Sequence, residues 1–267
     1  MEKRPIGIFD SGVGGLTVFR AIREQFPHED IVYFGDTARV PYGPKSQNTV
    51  IEYSIQNARF LIQQGAKIIV IACNTAASAA LQTLSKILPV PVIGVIEPGA
   101  IKALSSTQNG KIGIIGTNGT IQSQAYPSAI SKLSSSIQTY SQACPLFVSL
   151  AEEGWENHEV SKIVAKEYLQ PILEKGIDTL VLGCTHYPIL KKTISHVVGK
   201  NINLVDSAEA IAEQLAEIIP NTETEGIGKD KFYVSDNEEK FARIAAKILG
   251  QNITHLTKVK LGESWYL

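Results

Sequence analysis

Two stretches of this chain, 111 residues apart, carry the same pattern without a gap: Leu61–Thr75 reads LIQQGAKIIVIACNT and Ile172–His186 reads ILEKGIDTLVLGCTH. Gly65 lies over Gly176, Val70 over Val181 and Cys73 over Cys184. Each segment reads as a helix end, a glycine cap, a buried strand and then a cysteine at the strand's carboxyl edge. The frame extends on both sides. Upstream, IGIFDSGVGGL from Ile6 resembles IGIIGTNGTI from Ile112; downstream, Gly94-Val95-Ile96-Glu97 parallels Asn203-Leu204-Val205-Asp206. Glycine turn, cysteine edge and acidic strand end thus occur twice in one order. Such a chain is expected to form two like halves, whose cleft brings both cysteines to pseudo-symmetric positions.

Short apolar runs alternate with longer amphipathic stretches, which predicts an α/β fold of two lobes, each a mostly parallel sheet flanked by helices. Strands are expected at Ile6–Phe9, Ile31–Phe34, Lys67–Ala72, Val92–Ile96, Lys111–Ile115, Ile137–Ser141, Thr179–Leu182, Asn203–Val205 and Lys231–Val234. Helices are expected at Ser46–Gln64, Val160–Leu173 and Asn237–Leu249, with a polar stretch past Pro220. The lobes are expected to span 1–97, completed by 208–267, and 98–207. A chain of 267 residues, 44% hydrophobic and 19% charged, is long enough for that division. Lys and Arg total 25 against 26 Asp and Glu, and a net charge of −1 gives no general drive toward nucleic acid or an anionic membrane. No window approaches the roughly 18 apolar residues of a membrane span. The apolar run after Pro5 is too short for a signal-peptide core, so a cytosolic protein is expected. Three scattered cysteines with no Cys-x-x-Cys predict neither a disulfide framework nor a zinc site.

In open parallel sheets, ligands bind outside the carboxyl ends of the strands. Those ends carry Asp10-Ser11, Asp36-Thr37, Cys73-Asn74-Thr75, Glu97, Thr117-Asn118, Cys184-Thr185-His186 and Asp206. A single free cysteine is usually a small buried hydrophobe. Two at matching strand ends, each expected to open a helix whose N-terminus lowers the thiol pKa, favour acid/base work. Cys144, before Pro145, has no counterpart and is read as structural. Asp10-Ser11-Gly12-Val13-Gly14-Gly15 lacks the spacing of a dinucleotide fingerprint, since Thr17 stands where the third glycine belongs. It reads as a tight turn presenting Asp10 and Ser11 to a small carboxylate, or as a helix cap. Pro41-Tyr42-Gly43-Pro44 reads as a rigid turn that grips a ligand or simply precedes a helix. His186 is placed to orient or deprotonate Cys184. Glu152, from composition alone, reads as a solvated helix start.

Asp10-Ser11-Gly12-x-Gly14-Gly15-Leu16, Pro41-Tyr42-Gly43, Ala72-Cys73-Asn74-Thr75 and Gly183-Cys184-Thr185-His186-Tyr187-Pro188 together resemble the signatures of the glutamate racemases, within the cofactor-independent aspartate/glutamate racemase superfamily. The likeness runs from Ile6 to Asp206 with the motifs in order. It implies interconversion of L- and D-glutamate without a cofactor or metal, supplying D-glutamate to peptidoglycan precursors, in a cytoplasmic protein that is a homodimer. It implies Cys73 and Cys184 as the proton carriers, with Cys73 starting from the D form. Asp10 then assists the first, and Glu152 and His186 the second. Asp10, Ser11, Tyr42, Gly43, Asn74, Thr75, Thr117, Thr185 and His186 then hold the substrate.

Other classes remain to be separated by experiment. Aspartate or another small acid is a neighbouring substrate. A two-lobed amino-acid sensor also needs a cleft with polar strand ends, but has no use for matched thiols. A cysteine hydrolase needs only one thiol and an oriented histidine.

Overall fold

The computed structural model describes residues 4–219 and 226–261; of the expected lobe spans, residues 1–3, 220–225 and 262–267 lie outside it, as does Pro220. The first half alternates β1 (Ile6–Asp10), α1 (Leu16–Gln25), β2 (Ile31–Gly35), α2 (Gln47–Gln63), β3 (Ile68–Ile71), α3 (Asn74–Ile87), β4 (Val92–Gly94) and α4 (Ile96–Ser106). The second half runs β5 (Lys111–Gly116), α5 (Asn118–Gln122), α6 (Ala125–Leu133), β6 (Gln138–Ala143), α7 (Leu146–Glu152), α8 (Glu159–Leu173) and β7 (Thr179–Gly183). A 3₁₀ turn (Tyr187–Leu190), α9 (Lys191–Val198) and β8 (Asn203–Asp206) complete it. The chain then crosses by α10 (Ser207–Ile218) and returns to the first sheet with β9 (Asp230–Val234), α11 (Glu238–Leu249) and β10 (Leu256–Lys258).

The sheets are ordered β10-β9-β2-β1-β3-β4 and β6-β5-β7-β8, and every ladder is parallel. The shared order β2-β1-β3-β4 and β6-β5-β7-β8 is the repeat made visible. The central strands are buried on both faces and therefore read as continuous apolar runs such as Ile68–Ile71. The side-chain period of two divides the interior: in β7, Val181 joins the large cluster that extends through the first lobe, while Leu180 and Leu182 join a second cluster beneath α7, α8 and α9.

The repeated glycines have one physical job. Gly65 and Gly176 end α2 and α8 with φ of +85° and +72°, the left-handed region where a side chain is strained. The chain can then drop directly into β3 and β7. Each strand's far end sits at the point where strand order reverses, between β1 and β3 or between β5 and β7, where open parallel sheets form their ligand crevice. Asp10-Ser11 and Cys73 emerge there in one lobe, Thr117 and Cys184 in the other.

Three local expectations change. Strand β4 stops at Gly94, so Glu97 falls in the first turn of α4 and is exposed to solvent. An acidic residue there complements the helix N-terminus instead. Cys73 does precede an α-helix, as the N-cap of α3. Cys184 does not: Thr185 and His186 lead into the 3₁₀ turn, and α9 begins only at Lys191. Strand β10, absent from the sequence-based expectation, is a short edge strand of three residues.

Candidate active site

The carboxyl ends of the two sheets close over a cavity of about 20 Å³, lined by Ser11, Tyr42, Gly43, Cys73, Asn74, Thr75, Thr117, Cys184, Thr185 and His186, with Val40, Pro41 and Val148. That volume admits about one water molecule. A far larger groove, about 990 Å³, lies between α1, α9 and α11. It contains neither thiol, so reactive groups rather than size select the smaller cavity.

The lobes meet through hydrogen bonds that join residues far apart in sequence. Thr75 and Thr117 hydroxyls are 2.8 Å apart, Thr185 donates to Asp10 Oδ1 at 3.2 Å, and the Gly119 amide donates to the Gly43 carbonyl at 3.0 Å. The Tyr126 hydroxyl donates to Asn74 Oδ1 at 2.7 Å. This orients the Asn74 amide, whose buried Nδ2 has no protein partner. A buried donor without an acceptor costs about 1–3 kcal/mol, so Asn74 is built to donate to something that enters the cavity.

The loop carrying Tyr42 is held from behind. Tyr42 donates to Asp36 and accepts from Asn57 Nδ2 at 3.0 Å. Arg39 bonds Asp36 at 2.7 Å and Asn57 at 3.0 Å. Asp36 therefore supports the loop and does not line the cavity. Asp206 likewise turns away to cap α10, accepting from the Ala208 amide at 2.9 Å.

Asp10 and Glu152 stand one layer behind the cavity wall. Asp10 is fully buried, accepts from the Gly12 amide at 2.9 Å and the Thr185 hydroxyl at 3.2 Å, and its charge acts on both Cys73 and His186. Glu152, at the end of α7, faces His186 Nε2 at 3.2 Å. The other imidazole nitrogen, Nδ1, is 3.9 Å from Cys184 Sγ. Cys184, His186 and Glu152 thus form a line, and sequence composition alone gave no reason to put Glu152 on it.

The two thiols sit in unlike surroundings. Burial pushes Cys73 up to about 12, and the charge of Asp10 adds to the effect; bonds from the Ala76 amide and Ser11 oppose it. The helix N-terminus is present, but desolvation outweighs it, contrary to the expectation of a lowered pKa. The Ser11 hydroxyl lies 3.7 Å from Cys73 Sγ. At His186, burial works against the charged form, yet the bonds to Cys184 and Glu152 outweigh it and hold the imidazole up at about 10. Glu152 is held down at about 2, chiefly by its hydrogen bond with His186, with Lys240 adding to it. Cys73 is accordingly a neutral thiol near pH 7, and Cys184 lies beside an imidazolium. Cys144 is buried away from this cavity, with its thiol 3.7 Å from the Gln142 carbonyl. Among the described residues, no group of three or more His, Cys, Asp or Glu side chains converges to hold a metal ion, and no helix is long and apolar enough to cross a membrane.

Sequence reasoning passed over Lys240, Tyr126 and Val148. Lys240 donates to Glu152 Oε2 at 2.9 Å from 88 residues away. No local motif marks such a partner; only the packing of α11 brings it there.

The sequence pattern of the family described as Asp/Glu/Hydantoin racemase matches residues 6–215. Glutamate racemase of Geobacter metallireducens is 49% identical over 98% of this chain and 98% of its own. Among solved structures, a glutamate racemase isoform from Bacillus anthracis superposes with a TM-score of 0.94 at 40% identity, covering 98% of this chain and 99% of that one. The Francisella tularensis glutamate racemase, solved in complex with D-glutamate, gives a TM-score of 0.91 at 40% identity, covering 99% of this chain and all of that one (100%).

Proposed function

This chain belongs to the Asp/Glu/Hydantoin racemase family, and from that premise we propose that it is an isomerase whose substrate is glutamate, racemised by Cys73 and Cys184 acting on opposite faces of Cα. One observation carries the mechanism: two thiols, at equivalent strand ends of two like lobes, line a single closed cavity.

Racemisation removes a proton from one face of a carbon and returns one to the other. Two opposed groups do this without turning the substrate over. The Cys184 side is set as base by position, with His186 Nδ1 3.9 Å from its sulfur to exchange the proton. The Cys73 side is set as donor, because its thiol keeps its proton. In the opposite direction the roles exchange. The ammonium group of the bound amino acid then favours loss of the Cys73 proton, since an opposite charge stabilises the thiolate. Charge that develops on the α-carboxylate meets preorganised donors, the Asn74 amide and the hydroxyls of Ser11, Thr75, Thr117 and Thr185. Tyr42, Gly43 and His186 complete the wall; Asp10 assists Cys73, and Glu152 assists Cys184 through His186. An amino acid exceeds the closed cavity, so the interlobe bonds of Thr75, Asp10 and Gly43 part for entry and re-form around it.

The wider reading follows the family likeness: a cytoplasmic homodimer, free of metal and cofactor, that feeds D-glutamate to peptidoglycan synthesis. Its lobes are 1–97 with 208–267, and 98–207. The direct test is incubation of the reduced protein with L-glutamate in deuterated water. Circular dichroism is expected to decay to zero as the α-proton signal disappears. A folded, reduced sample that does neither ends the proposal, and glutamate binding without exchange favours the sensor class.

A close-packing prediction follows from the same geometry. A methyl group on Gly14 would lie 2.6 Å from both His186 Nδ1 and Thr185 Oγ1. Overpacking of this kind costs about 1–3 kcal/mol. Gly14→Ala is expected to displace the imidazole, lower the melting temperature and reduce turnover at least about tenfold. Wild-type rates in that variant would show that His186 need not stay beside Cys184.

A further inference from the structure

We infer that Lys240, on the C-terminal helix α11, is a positioning residue for the Cys184 half of the reaction, tying Glu152 in place from the opposite lobe. The inference rests on the racemase reading above and adds to it a residue outside the cavity wall.

The geometry is a continuous line of four groups. Lys240 Nζ donates to Glu152 Oε2 at 2.9 Å, Glu152 Oε1 meets His186 Nε2 at 3.2 Å, and His186 Nδ1 lies 3.9 Å from Cys184 Sγ. The two oxygens of one carboxylate are therefore divided between two cations. The imidazole cannot choose Glu152's orientation alone, because a carboxylate held at only one oxygen swings about its last torsion. Lys240 supplies the second point of attachment.

Helix α11 is well suited to hold that point. Asn237 caps it, accepting from the Lys240 amide at 3.1 Å. Phe241, Ile244, Ala245 and Ile248 recur at one face and are buried, so the helix is fixed in rotation. Arg20 of α1 donates to the Ile248 carbonyl at 2.8 Å at its far end. Lys240 stands on the flank of this anchored helix and reaches across a cavity of about 150 Å³ whose wall includes Gly12, Val13, Val40 and Glu152. The ion pair thus connects the sequence-distant completion of the first lobe to the end of α7 in the second.

Other charges also lie near this pair, among them Glu239 and Arg243, which share a surface pocket with Lys240. Asp236, on the same cavity wall, pairs with Lys258 Nζ at 2.6 Å. Glu153 is exposed to solvent, and the Lys247 ammonium lies by Gly154. On the inner side, His186 is faced by Cys184, Glu152 and the charge of Asp10. Lys240 is the cation that Glu152 meets from outside, and its side chain is 39% exposed, so it is held by the pair rather than by burial.

The asymmetry gives a discriminating test. The line ends on Cys184 and does not touch Cys73. Lys240→Met is expected to lower kcat about tenfold, as a displaced acid/base assembly does, with KM within about twofold, and Lys240→Arg is expected to recover most of the loss. The ¹³C carboxyl resonance of Glu152 titrates at higher pH in Lys240→Met and returns in Lys240→Arg, a readout that requires no turnover. Added to Cys73→Ala, Lys240→Met slows α-hydrogen exchange; added to Cys184→Ala, it does not. Unchanged kcat in Lys240→Met, an equal fall of exchange in both single-thiol proteins, or a loss carried in KM that arginine fails to recover overturns the inference. Failure of the wild-type protein to racemise glutamate overturns the functional reading instead, and the two failures are read from different proteins.

Discussion

Cys73→Ala and Cys184→Ala are each expected to lose net racemisation by at least the roughly 10²–10⁴-fold that one positioned acid/base contributes, while each still exchanges the α-hydrogen of one enantiomer. With Cys184 alone, a proton leaves the face turned toward it and returns to the same face. Once that thiol has exchanged with deuterated water, deuterium appears at Cα with no change of configuration. By the family likeness, Cys184→Ala retains exchange from D-glutamate and Cys73→Ala from L-glutamate. Both substitutions remove one sulfur from a buried site and are expected to leave far-ultraviolet circular dichroism unchanged. A thermodynamic check accompanies the result. Enantiomers have equal free energy in water, so kcat/KM must be equal in both directions for wild type and every variant. Near-normal turnover by either variant, or exchange from both enantiomers by one of them, would remove the two-thiol mechanism.

Much of this arrangement is written locally in the chain. The paired segments ending in Cys73 and Cys184 predict duplicated strands because glycine caps and buried apolar runs are short-range signals, and Gly65 and Gly176 share the left-handed backbone that the pattern requires. Strand order then follows, since right-handed crossovers leave few ways to arrange parallel strands. What the sequence withholds is what depends on burial and on distant partners. The pKa of Cys73 rises because the folded chain removes it from water and sets Asp10 beside it, and neither fact is encoded next to the residue. Glu97 and Asp206 occupy equivalent places in the repeat, yet one ends up exposed in a helical turn and the other caps α10. The tie between Lys240 and Glu152 spans the two lobes and has no motif.

The duplicated frame and its unequal surroundings are complementary. Symmetry brings two thiols to one cavity; departure from symmetry gives them unlike neighbours. Cys73 opens α3 and stays protonated by burial, whereas Cys184 opens no α-helix and has His186 instead. On the proposed mechanism one thiol takes a proton as the other gives one, and unlike neighbours suit the two tasks.

The histidine is therefore expected to matter nearly as much as the sulfur it serves. His186→Asn keeps a planar hydrogen-bonding side chain but no titratable charge, and is expected to lower kcat by about 10²–10⁴-fold. Because it leaves Glu152 with Lys240 alone, the change is also expected to lower stability at neutral pH, by less than the loss of a buried charge's sole partner. The pH dependence fixes the cause. The imidazole is held up at about 10 in the folded protein, against about 6.5 in an unfolded chain. Its contribution to stability is full below about pH 6.5 and is lost as pH rises through 10, because over that window the native state binds the proton that the unfolded state releases. Denaturant titrations should thus show wild type losing stability relative to His186→Asn from about pH 6.5 toward 10, while the descent that Cys73 adds above about pH 8.5 is common to both. Parallel curves across the window would mean that His186 is neutral in the native protein, and that Cys184 takes its proton without an imidazolium beside it.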